Sequence, residues 1–240
     1  MAKLNLTTSP SGLLALSTNA TQSTLDAYFY TFTKAQANAR NANRDPSSQQ
    51  YFNAMVESLS TLGWTILFEA TSSNSSSGST PTTPLASCAY AFVNFLNDNT
   101  SFLNDNTSTA LVDTVNLDIW LKSIYTVLQN LSPEQQEQLD IWWNGIEISG
   151  ETRYMTVCQV IEILGQPLVP VVYYALTNSG DSWRSLIAPS TNFHFVASPI
   201  LLSLNWIAYN QLKTALKSEL EAELTNHINT TALEIEKASS

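Results

Sequence analysis

Residues 154–176 read YMTVCQVIEILGQPLVPVVYYAL, and the assignment of this stretch decides the fold. Its second half, Leu168 to Leu176, is β-branched and aromatic and reads as a strand. Pro170 has no backbone N–H to give to a ladder, which predicts a sheet edge or a bulge there. The first half fits two periods. Met155, Val157, Ile161 and Ile163 alternate as on a strand face, while Tyr154, Val157, Cys158 and Ile161 fall at helical spacing. Gly165 supplies a stop signal, so the expectation is a helix over Met155 to Leu164.

Downstream, Asn178-Ser179-Gly180 is a turn and Phe193 to Ala197 a short strand. Ser198-Pro199 then opens the longest predicted helix, from Pro199 to about Leu224. Upstream, Ser132-Pro133-Glu134-Gln135 is a capping box that starts a helix carrying Leu139, Trp142 and Trp143, with Gly145 at its end. Leu111 to Leu128 and Leu85 to Leu96 also have helical spacing. Phe95 to Ser101 and Phe102 to Ser108 repeat the same seven residues, FLNDNTS, and predict a turn-rich loop over 95–108. Thr71 to Pro84 holds Ser, Thr, Asn, Gly and Pro without an apolar residue and predicts a mobile surface loop.

Nearer the start, Trp64 to Glu69 reads as a strand. Asp45-Pro46 opens a helix with Phe52, Met55, Val56, Leu59 and Leu62 on one stripe, and Gly63 closes it. Leu25, Tyr28, Phe29 and Phe32 mark a helix from Thr24 to about Ala39. Residues 1–22 are read as a loosely ordered tail. The sum is a mixed α+β fold, a helix-dominated single domain over 23–240 around a small sheet, not a doubly wound nucleotide-binding fold.

Composition narrows the function. The chain has 240 residues, 44% hydrophobic and only 12% charged, with a formal charge of −10. Ser, Thr and Asn supply 76 of the 240 residues, replacing charge with neutral polarity. No Lys or Arg lies between Arg44 and Lys122, so the clustered cations that nucleic-acid binding requires are missing. Electrostatic attachment to anionic lipid is disfavoured on the same ground. No signal peptide and no transmembrane helix are expected, since no apolar run nears the required length of about 20 residues. The expected location is the cytoplasm, or release without a classical signal peptide, with membrane association as part of the leading reading. Two cysteines, Cys88 and Cys158, are too few for a zinc site, and His-Glu-x-x-His is absent, so no metal is expected.

Catalytic signatures are sparse. Gly180-Asp181-Ser182 resembles the start of one class of serine lipases, with His194 as the only histidine near in sequence to serve as base. Turns favour the same residue types. Glu134 with Glu137, and Glu219 with Glu223, lie at helical spacing and read as solvated faces. Adjacent tryptophans point to different azimuths of a helix, so at least one of Trp142 and Trp143 is expected inside; core packing is the main reading, and the alternative puts the other ring at an interface or pocket mouth in a binding or membrane-contact role. Cys158 has Met155, Val157, Val160, Ile161 and Leu164 near it and no Lys or His close in sequence, and Cys88 lies on the apolar side of its helix. Both read either as inert core thiols or as acyl acceptors beside an apolar cavity.

One family resemblance emerges. The helix ending in Leu62-Gly63-Trp64, the acidic helix around Trp142-Trp143, the apolar segment Tyr154 to Leu164 with Cys158, and the long Pro199 helix follow in an order similar to the Erwinia virulence factor group of bacterial insect-gut virulence proteins. The resemblance covers about residues 45–225 and contains no diagnostic motif. It implies a mixed α/β fold, no catalytic site, and a palmitoyl chain on one buried cysteine, here Cys158. The leading expectation is therefore a non-enzymatic, toxin-like protein with an apolar cavity, palmitoylated at Cys158 and associated with membranes. Lipid or membrane is then the expected partner, with no separate cofactor. The alternatives are a soluble binding module without lipid, and a serine esterase using Ser182 and His194.

Overall fold

Short hydroxyl side chains open the first two helices. Thr21 accepts the backbone N–H of Thr24 at 3.3 Å and starts α1, Gln22–Asn41. Ser48 accepts from the Tyr51 N–H at 3.1 Å and starts α2, Gln49–Thr61. Asp45, read as a cap, instead takes the Ser47 N–H in a turn before the helix. Gly63 follows α2 at φ +99° and leads into β3, Trp64–Glu69. The structure is a computed structural model, described for residues 5–9, 12–17, 21–42, 44–69, 73–76, 83–99, 128–163, 166–177, 180–224 and 229–231.

The remaining elements are β1 (Asn5–Thr8), β2 (Leu13–Ser17), β4 (Ser73–Ser76), α3 (Pro84–Asn99), α4 (Pro133–Gly145), β5 (Glu147–Ser149), β6 (Thr152–Ile163), β7 (Gln166–Thr177), a 3₁₀ turn (Trp183–Leu186), β8 (His194–Leu204), α5 (Trp206–Leu224) and β9 (Asn229–Thr231). One sheet joins the nine strands found among the described residues, in the order β3-β8-β7-β6-β2-β1-β9. β4 extends β8 beside β3, and β5 pairs with β6. Among the described residues only the β2–β6 pairing is parallel. The fold is α+β, but its sheet is large and organises the molecule, where a small sheet within a helical body was expected.

Side-chain alternation divides the core in two. Tyr154, Cys158, Val160, Val171, Tyr173, Ile200 and Leu202 face α1, α2 and α5. Met155, Val172, Tyr174, Leu176, Phe195, Ala197 and Leu201 face α3 and α4. The sheet is thus buried on both faces, in a helix–sheet–helix sandwich.

This burial explains three corrections. The helix expected over Met155 to Leu164 is not formed: residues 155–163 belong to β6, because a strand covered on both faces is apolar at successive positions and loses clean alternation, and 164 lies outside the described residues. Pro199 does not open a helix either. It pairs with Val172 inside β8, and α5 begins only after Asn205, whose Oδ1 accepts the N–H groups of Ile207 and Ala208. Pro170 sits in a central strand, not at an edge. It keeps register with Leu201, while the β6 ladder lapses between Cys158–Val171 and Ile161–Leu168. The missing N–H is accommodated by that local gap.

The predicted tail contributes β1 and β2, with Gly12 turning between them at φ +77°. The Ser/Thr-rich segment 71–84 contributes β4, paired with β8. Within the repeat, residues 95–99 end α3, and 100–108 lie outside the described residues, as does most of the helix read over 111–128. α1, α2, α3, β3 and the capping box of α4 lie where the spacing placed them.

Gly63 offers a direct check of the α2–α5 junction. A Cβ there would stand 3.0 Å from the Tyr209 backbone nitrogen, whereas at Gly150, φ +61°, it would meet open space. In urea denaturation, Gly150→Ala is expected to lose about 1 kcal/mol, the cost of a left-handed residue alone, and Gly63→Ala about 3 kcal/mol or more. Equal losses would contradict this packing.

Candidate functional site

The leading sequence candidate, Cys158, lies near the middle of β6. Its neighbours two residues away, Thr156 and Val160, face the same way, towards α1. Cys158 has no exposure and shares a core cluster with Tyr28, Leu13 and Val171. Tyr28 comes from α1, its hydroxyl 3.5 Å from the Thr156 carbonyl oxygen. Burial pushes the Cys158 thiol far above its ordinary range, and the hydrogen bond from Tyr28 offsets only part of that. Tyr28 is itself raised, by burial first and then by the thiol.

The sulfur is therefore enclosed by packed side chains, where an adjoining apolar cavity was expected. Thr7 and Thr156 lie on the same sheet face, Thr7 reaching the Cys158 row through Ala15 by register. Their hydroxyls are buried without partners, each at a cost of about 1–3 kcal/mol. A groove of about 370 Å³ lies elsewhere, between Thr65 on β3 and the β8–α5 junction, where Trp206 and Ile207 line it. Its position was not legible from the sequence.

Cys88 is buried on α3, facing the opposite side of the sheet, and its carbonyl accepts the Tyr174 hydroxyl at 2.6 Å. Burial raises its thiol to about 12. Neither cysteine is near the pKa that makes a thiol a nucleophile at neutral pH.

The Gly-Asp-Ser segment is architectural. Gly180 adopts φ +75° beside Ser185, and a Cβ would stand 2.9 Å from that side chain. Ser182 caps the 3₁₀ turn, accepting the Arg184 N–H at 3.3 Å. His194 begins β8, exposed and paired through the backbone with Thr177. Among the described residues no hydrogen bond joins Ser182 to His194, so the base a serine nucleophile needs is not engaged.

Trp142 and Trp143 are both buried, at 2% and 1% exposure, in keeping with core packing, and neither stands at an interface or pocket mouth. Their rings are 6.0 Å apart, and the Arg153 guanidinium covers Trp143 at 4.5 Å. Arg184 stacks likewise on Trp183 at 4.6 Å. The indole N–H groups of Trp142, Trp143 and Trp183 are all buried without an acceptor. Glu134 and Glu137 are exposed on α4, and Glu219 forms an ion pair with Lys34 of α1. Among the described residues no group of His, Cys, Asp and Glu could hold a metal ion. No described helix is long and apolar enough to cross a membrane.

No family model matches the chain, and no curated protein matches it. A solved structure titled delta-endotoxin is similar at 10% identity and a TM-score of 0.43, over 82% of this chain and 84% of that one. A likeness this distant carries over no property of that protein.

The buried thiols give an alkaline signature. Cys88 is raised from 9.0 to about 12 in the folded state, so between those values the unfolded chain binds fewer protons than the folded one. Stability is then fully present below pH 9 and falls as pH rises towards 12. Urea midpoints measured across this range should fall more steeply for wild type than for Cys88→Ala. A parallel slope in both would contradict the buried thiol.

Proposed function

We propose that this chain is a non-enzymatic, toxin-like protein that acts at a lipid surface. The supporting observation is the strand run β6, β7 and β8, with 12, 12 and 11 residues. A tilted strand needs about 9–11 residues to cross the hydrocarbon of a bilayer. β7 and β8 contain no Asp, Glu, Lys or Arg. Antiparallel sheets commonly keep one face wet, yet both faces here are apolar and covered by helices. Movement of either helical layer would give a bilayer a sheet surface on which β7 and β8 carry no charge. The net charge of −10 favours neutral over anionic lipid and a contact driven by apolar area.

The resemblance to the Erwinia virulence factor group adds a palmitoyl chain on Cys158. In that step an acyl thioester donor transfers its acyl group to Sγ, and the donor thiol leaves with the cysteine proton. The enclosed, protonated sulfur restricts this transfer to a chain in which α1 has not packed on β6. An interaction module without lipid is the competing reading, favoured by the packed state of the sulfur.

Flotation with neutral vesicles tests the proposal. The protein is expected to rise with the lipid and stay bound in high salt. Recovery entirely in the lipid-free fraction would overturn the membrane reading. Intact-mass measurement on protein from its natural source separates the finer step. A mass increment of one palmitoyl group, lost in Cys158→Ser, supports acylation, and the unmodified mass removes it.

A further inference from the structure

The corner between α4 and the β7–β8 connection is built differently from the rest of the core. Arg184, in that connection, donates from Nη2 to Gln136 Oε1 at 2.7 Å, and its Nη1 lies 3.7 Å from Asp140 Oδ1. Both partners are on one face of α4, four residues apart. Arg153, on β6, donates from Nη1 to the Trp143 carbonyl at 3.2 Å, in the last turn of α4. A cation suits that negative end of the helix. Asp181, next to the Ser182 cap, favours the charged form of Arg153, opposing the larger effect of burial.

Under these contacts lie the three indole N–H groups without acceptors. In the closed state they are unmet donors, and water reaching an opened corner would satisfy them. The two arginines act in the opposite direction, but Arg184 and Asp140 are about half exposed, at 51% and 48%, where ion pairs are weak. Weak surface contacts over an under-satisfied interior are the attributes of a low-stability unit.

We propose that Arg153 and Arg184 form a two-point latch holding α4 against β6 and the β7–β8 connection, and that its release is the first opening step of the molecule. The latch stands on these contacts alone. Its use, uncovering the sheet face that α4 helps to hide, rests on the lipid-surface reading above.

Hydrogen exchange read by mass spectrometry, on the full chain without lipid, tests the latch. Arg153→Ala with Arg184→Ala is expected to speed exchange over 133–145 and 183–187 by about tenfold or more, leaving α1 and β7 unchanged. Trp143→Phe, which removes one unmet donor, is expected to slow exchange in the same segments. No change in the double variant, or equal acceleration throughout the chain, would overturn the latch. Flotation of the double variant then separates the two ideas. Local acceleration with stronger lipid association supports both, whereas local acceleration without any lipid association leaves the latch and removes the membrane reading.

Discussion

Two-sided burial of β6, β7 and β8 is the constraint on which the structure depends. A strand whose successive side chains are all apolar cannot leave either face in water, so each face must find its own cover. Val171 and Val172 show this at adjacent positions, one packed towards α1, α2 and α5, the other towards α3 and α4. The helices supply those two layers. The polar composition follows: with charge so scarce, the outer surfaces stay hydrated through Ser, Thr and Asn.

The two covers are fastened by different means. On the α1 side, aromatic packing dominates. Tyr173 stacks between Tyr51 and Tyr154 while its hydroxyl donates to the Pro46 carbonyl, and Trp64 donates to Thr31 at 2.7 Å. On the α4 side, arginines pin a helix above tryptophans whose N–H groups have no partner. Opening is expected where the fastening is a half-exposed ion pair and not packed rings, which places it on the second side.

Much of the helical layer was legible in the sequence. Leu25, Tyr28, Phe29 and Phe32 form a one-faced stripe, and Ser132 with Gln135 forms a complete capping box. Both are local signals that tertiary context leaves intact. The sheet was harder to read for the reason that makes it stable. In β6 burial on both sides blurs the alternation that separates strand from helix, and Gly165 then looks like a helix stop. Pro170 and Pro199 argue against strand interiors, yet gaps and register in the ladder accommodate them. β1 and β2 are only four and five residues long, and only their pairing reveals them. Of the candidate site, the burial of Cys158 was foreseeable from its neighbours. Its contact with Tyr28 spans 130 positions of sequence and was not. The grip of Arg153 and Arg184 on α4 is equally non-local.

The most direct measurement sets one face of the sheet against the other. Val171→Asp and Val172→Asp each place a carboxylate at a position with 1% exposure or less, on opposite faces. An unpaired buried charge is strongly destabilising. Urea midpoints should therefore fall severely in both variants. A near-normal midpoint in either would mean that one face of the strand run is wet, and the doubly covered sheet would be wrong.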